Sequence, residues 1–181
     1  MDTTAVLGRI SPSITKMIRM DHSHTLLTAH KFTADAPPDK KKAVVTAVCR
    51  ALEVHAQLEE EIFYPALRQA GIDDEALRKA QPEHDEVKRM IGELRAMAPA
   101  DPRYDDTFAT MMRHVMHHVA DEEGVLLPLA EKRLAAQLSE LGARMTQRRL
   151  QLVAPHVGEM ATATARAMPA STMLVAGGLL T

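Results

Sequence analysis

Apolar and polar positions along this chain alternate with the period of an amphipathic α-helix. Ile18, His22 and Leu26 share one stripe, and Val48, Leu52, Glu59 and Ile62 or Phe63 share another. Breaks separate four long helical runs. Ser11 reads as an N-cap with Pro12 at the first helical position, opening a helix that reaches residue 34 and closes at "DAPPD". A second helix spans residues 39–69 and stops before Gly71. The third starts at Asp73 or Asp74, reaches residue 97 and is bent or interrupted at Pro82. "APADP" then precedes a fourth, over residues 103–128, with a helical continuation "LAEKRLAAQLSELGARMTQRRLQL". After Val153 the pattern decays into Pro, Gly, Ser, Thr and Ala. Long helices joined by short breaks predict antiparallel neighbours. The expected architecture is an all-α, up-down-up-down four-helix bundle with a C-terminal helical extension over residues 1–153, followed by an irregular tail over 154–181.

Composition supports an all-helical chain. Aromatic residues make up 3% of its 181 positions and glycine is sparse, while the strong helix formers dominate. The net charge of −2 leaves no basic excess to attract a phosphate backbone or anionic lipid, so nucleic acid is not an expected partner. The single cysteine, Cys49, forms no internal disulfide, and the start "MDTTAVLGRISPS" lacks the layout of a secretion signal, which together predict a cytoplasmic protein. The apolar stretch "MLVAGGLL" is far shorter than the roughly 20 residues that span a bilayer. No membrane association is expected. That patch is expected to dock on the bundle or on a second subunit, giving a homodimer.

Two strings raise the question of chemistry. "HAQLEEEIFYP" begins at His55 and "HHVADEEGVLLP" at His117. Residues four apart share a helix face, so His55 pairs with Glu59 and His118 with Glu122. A lone histidine precedes each pair at matched distance, His22 in "MDHSH" and His84 in "PEHDE", each after an acidic residue. Two halves of the form H…HxxxE, related by a pseudo-twofold, place these six residues around one centre. That is a two-metal arrangement. Imidazole with carboxylate suits Fe, Zn or Mn, and a glutamate can bridge two cations. One cysteine cannot build a thiolate cluster.

With these motifs the sequence resembles the hemerythrin-like family, also called HHE cation-binding domains, from about Ile14 to Ala136. The resemblance implies a non-haem di-iron centre, oxo- or hydroxo-bridged, that binds or reacts with dioxygen, peroxide or nitric oxide. It implies His22, His55, Glu59, His84, His118 and Glu122 as ligands, with Glu59 and Glu122 as the bridges. The chain departs from the oxygen-carrying members, which have a second histidine four residues after the one on the third helix; here that position is Lys88. An open coordination position favours sensing, iron handling or small redox chemistry over reversible oxygen carriage. The carriers also space the last pair as HxxxxD, which His117 and Glu122 would match; symmetry with the second helix favours His118.

The remaining candidates have plainer readings. His30, His114 and His156 read as hydrogen-bonded core residues, although His114, one turn before His118, could also support the site; His24 points away from His22. Glu60, Glu61, Glu123 and Asp21 are solvated or accept the second N–H of a ligand histidine. Pro65 and Pro128 bend or end their helices beneath the site, and Tyr64 lies close to it in sequence. Three function classes follow: a di-iron sensing or buffering module, a di-iron enzyme, and a structural helical protein with incidental metal binding. No nucleophile-and-base set stands apart from the metal residues, so catalysis would belong to the metal.

Overall fold

The structure, a computed structural model, describes residues 11–154. The described residues are helical and contain no strand. Helix α1 (Ile14–Ala29) is capped by Ser13, whose hydroxyl accepts from the Lys16 N–H. Ser11 and Pro12 therefore precede the helix instead of opening it, and the helix stops short of residue 34. The second column begins as α2 (Pro38–Leu58), passes through a π-helical turn (Glu59–Phe63) and ends as α3 (Tyr64–Gln69). Gly71, with φ of 71°, takes the left-handed conformation that reverses the chain. Helix α4 (Glu75–Ala96) is N-capped by Asp74 and runs uninterrupted through Pro82, where a break or bend was the expectation. The fourth column repeats the second: α5 (Tyr104–Asp121), a π turn (Glu122–Leu126) and α6 (Leu127–Arg133).

The two π turns explain the repeated proline. In a regular α-helix Pro65 would leave the Glu61 carbonyl without its donor and press against it. Here the helix widens by one residue, so that Tyr64 N–H bonds the Glu59 carbonyl and, in the fourth column, Leu127 N–H bonds that of Glu122. Neither column ends at its proline. Each HxxxE glutamate opens a π turn.

The helical continuation of the fourth column is broken. The chain turns over residues 134–137, and α7 (Leu138–Val153) runs back along α1 and α2. No strong helix breaker marks this turn in the sequence; burial of Leu134, Leu141 and Met145 in a common cluster favours the reversal over local propensity. Gly142 meets the bundle so closely that a Cβ there would clash with the Pro12 carbonyl oxygen. The tail over 155–181, with His156 and "MLVAGGLL", lies outside the described residues.

Two apolar clusters fill the bundle. One gathers Ile14, Ile18, Leu58, Phe63, Tyr64 and Leu127 with the apolar face of α7; the other gathers Val48, Leu52, Val87, Phe108, Met111 and Val115. Buried polar side chains, His22, His55, Glu59, His84, His118 and Glu122, lie between these clusters. Among the described residues no helix is long and apolar enough to cross a membrane.

Candidate metal centre

Each column contributes to one centre. His22 comes from α1, His55 from α2, His84 from α4 and His118 from α5, while Glu59 and Glu122 open the π turns of the second and fourth columns. All six are buried. Each glutamate faces two histidines, one from each half of the repeat. Glu59 Oε2 lies 3.1 Å from His55 Nε2 and 3.5 Å from His84 Nε2. Glu122 Oε2 lies 3.2 Å from His22 Nε2 and 3.6 Å from His118 Nε2. The donors fall into two groups, His22, His55, Glu59 and Glu122 in one and Glu59, His84 and His118 in the other, each with its ligand atoms within 4.8 Å of one another. Glu59 belongs to both.

The far side of each ring is turned to an acid. His22 Nδ1 lies 2.9 Å from Glu123, His84 Nδ1 2.9 Å from Glu60 and His118 Nδ1 2.8 Å from Glu83. His55 Nδ1 faces Asp21 at 3.6 Å, beyond hydrogen-bond length. A symmetric rule emerges. The acid preceding each lone histidine faces the paired histidine of its own half, and the second glutamate of each "EE" holds the lone histidine of the other half.

These contacts assign the tautomers. An ionised carboxylate can only accept, so each Nδ1 bonded to one carries the hydrogen, and a neutral ring then presents a lone pair at Nε2. Nε2 of His84 and Nε2 of His118 are 3.0 Å apart. Two lone pairs at that distance repel unless a cation lies between them. His22 Nε2, Glu59 Oε1 and Glu122 Oε2 are also buried without a hydrogen-bond partner. Buried polar atoms left this way cost free energy. Convergent lone pairs and unpaired carboxylate oxygens fit a cation.

The electrostatics agree. Burial lowers His55 to about 4 and also lowers His84, keeping both rings neutral and able to donate. Burial and the charge of Glu122 raise Glu59 well above the ordinary carboxylate range. Burial works against a charged His22, yet Glu122 and Glu123 raise its pKa. Without a metal, protons take the place of cations.

Beyond the six and the outer acids, Tyr64 also reaches the centre. The Tyr64 hydroxyl, on the residue that closes the first π turn, lies 2.9 Å from Glu122 Oε1, 3.2 Å from Glu59 Oε2 and 3.4 Å from His84 Nε2. Sequence proximity pointed to Tyr64 without placing it. Glu83, on His118, has no assigned role in the sequence beyond preceding His84; the acid-before-histidine pattern is the signal that finds it. His24, His30, His114 and His117 are exposed, so the core reading of His30 and His114 does not hold and neither joins the site. Glu61 pairs with Gln57 and Arg148 at the surface.

A narrow apolar cavity abuts the rings. Leu52, Ala56, Val87, Ile91, Val115 and Val119 line it with all four ligand-facing histidines, and it holds about one water-sized molecule. Lys88 stands on its wall and bonds Glu60 at 2.7 and 2.9 Å.

Known proteins resemble this chain in sequence and in fold. The chain is 25% identical over 150 residues to a DNA nickase from Nostoc sp.; the match covers 83% of this chain and 42% of that protein, so the chain spans less than half of this relative's length. A crystal structure of a hemerythrin HHE cation binding domain-containing protein from Mycobacterium kansasii superposes with a TM-score of 0.69 at 21% identity, over 87% of this chain and 99% of that one. The model of the hemerythrin HHE cation binding domain matches residues 13–130, the stretch that carries all six convergent residues, and the chain belongs to that family.

Proposed function

We propose that this chain is a non-haem di-iron protein that binds or reacts with dioxygen, peroxide or nitric oxide, acting in sensing, iron handling or stress response. The observation that carries the reading is the pair of facing lone pairs on His84 and His118, 3.0 Å apart in a buried site, with unpaired oxygens of Glu59 and Glu122 beside them. His22, His55, Glu59 and Glu122 would hold one ion, and Glu59, His84 and His118 the other, with Glu122 within reach of both. Imidazole and carboxylate donors suit iron. The Tyr64 phenol offers a further oxygen beside the group that has fewer donors.

The iron pair would supply the redox and Lewis-acid chemistry. The chain supplies the rest. Outer carboxylates fix three rings in the tautomer that donates inward. The apolar cavity excludes bulk water while admitting one small uncharged molecule against the histidines. Lys88, where the oxygen carriers have a histidine, turns outward to Glu60 and supplies no donor. This favours an exchangeable centre over a saturated one. The name of the Nostoc relative gives no DNA chemistry to this portion, since the net charge of −2 offers no excess of cations for phosphates.

The test is to load the protein anaerobically with ferrous iron and expose portions to dioxygen, peroxide and nitric oxide. Optical spectra should change with at least one of them. Peroxide or nitric oxide consumed over many turnovers marks an enzyme, whereas a change that stops at one equivalent per centre marks a binding or sensing module. A colourless protein that takes up no iron would defeat the proposal and leave the structural reading.

A further inference from the structure

Helix α7 supplies no ligand, yet it reaches the centre. Arg149 grips Asp21 through both guanidinium nitrogens, Nη1 to Oδ1 at 2.6 Å and Nη2 to Oδ2 at 2.5 Å. The same Oδ2 faces His55 Nδ1 at 3.6 Å. The other three rings each have a carboxylate at 2.8 or 2.9 Å. Of the four outer ring nitrogens, that of His55 is the one buried with no hydrogen-bond partner among the described residues, and the acid facing it is held by an arginine.

We propose that Arg149 is a positioning residue for the metal centre: by clamping Asp21 it fixes the acceptor that faces His55, so that α7 governs how firmly the first metal position keeps its ion. The assignment rests on the di-iron reading above. Asp21 is mostly buried, with its side chain 16% exposed. Deprived of its bidentate partner, such a carboxylate is free to turn toward water. His55 then loses the acid that faces its outer nitrogen and with it a restraint on ring rotation. Outer partners of ligand histidines typically affect metal affinity by about 10- to 100-fold.

The neighbouring residue provides the control. Arg148 makes an equally close pair with Glu61, 2.6 and 3.0 Å, and also ties α7 to the second column. Among the described residues Glu61 hydrogen-bonds Gln57 and Arg148 and no histidine of the centre. A purely structural role predicts that the two arginines behave alike.

The experiment compares Arg149→Met, Arg149→Lys, Asp21→Asn and Arg148→Met in the full chain. Each is loaded with ferrous iron, then challenged with a chelator, while metal content and near-ultraviolet charge-transfer absorption are followed. Melting of the iron-free proteins is recorded in parallel. Arg149→Met and Asp21→Asn are expected to release the first ion about tenfold faster or more, falling toward one ion per chain, with Arg149→Lys between them and wild type. Arg148→Met is expected to stay within about twofold of wild type while melting no higher than Arg149→Met. Arg149→Met retaining iron as firmly as Arg148→Met, or both losing it equally, overturns the assignment of Arg149 alone. A wild-type chain that takes up no iron overturns the di-iron reading and this assignment with it. Should Arg149→Met fail to fold, the ordering of Asp21→Asn and Arg149→Lys against Arg148→Met decides the matter.

Discussion

Tyr64 donates its hydroxyl hydrogen toward Glu122, 2.9 Å away, from a position where the same oxygen also lies 3.2 Å from Glu59. A phenol thus stands between the two carboxylates that face both halves of the centre. Burial, together with both glutamates, raises its pKa well above the ordinary value, so only a cation of the centre would draw the proton off. With ferric iron bound, wild type should show a visible charge-transfer band of the phenolate type that Tyr64→Phe lacks. The iron-free variant should lose about 1–3 kcal/mol, the cost of leaving buried carboxylate oxygens without their donor. An unchanged visible spectrum would remove Tyr64 from the coordination sphere.

Glu59 should trade stability against binding. Its carboxyl is buried beside Glu122 and raised by both burial and that charge, so the iron-free protein holds it at a cost. Glu59→Gln keeps the shape and makes the side chain permanently neutral. The iron-free variant is expected to melt about 2–4 °C higher, equivalent to roughly 1 kcal/mol for a chain of this size, while binding at most one ion. A variant that melts lower and still takes up two ions would contradict the bridging role.

Much of the centre was legible because helix periodicity is a local property. His55 with Glu59 and His118 with Glu122 follow from four-residue spacing, and the lone His22 and His84 from the repeat. What failed to show in the sequence depends on how columns meet. Glu60 holds a histidine of the other half, as does Glu123, and no spacing encodes that crossing. The prolines announced an irregularity, but its form, a π turn beginning at Glu59 and at Glu122, comes from the carbonyl that a proline leaves unmet. The reversal at residues 134–137 was hidden because its residues favour helix, and Arg149 reaches Asp21 only because of that reversal.

The neighbouring histidines of α5 separate cleanly. His118 is 5% exposed with Nδ1 on Glu83, whereas His117 is exposed. His118→Ala should lose iron and the near-ultraviolet absorption of a bridged ferric pair, and His117→Ala should keep both. The reverse pattern would mean that the longer HxxxxE spacing governs the fourth column.

Acid should weaken the iron-free protein through His55. Its folded pKa of about 4 lies below the ordinary 6.5, so between those values the unfolded chain binds a proton that the folded one refuses. The stability from this group is whole above pH 6.5 and falls as pH drops toward 4, by about 3 kcal/mol across the window. Raised values on His22 and Glu59 work in the opposite sense, so the contribution is read as a difference. Denaturant titrations from pH 7 to 4 should show a smaller acid loss in His55→Gln than in wild type; equal slopes would contradict the neutral, buried imidazole.

Anaerobic titration of the full chain with ferrous iron, followed by metal analysis of the desalted protein, tests the central claim most directly. Two donor groups sharing Glu59 predict a break at two ions per chain, and oxidation in air should then bring up the near-ultraviolet band of a bridged ferric pair. A break at one ion, or no retained iron at all, would contradict a two-metal centre built on His22, His55, Glu59, His84, His118 and Glu122.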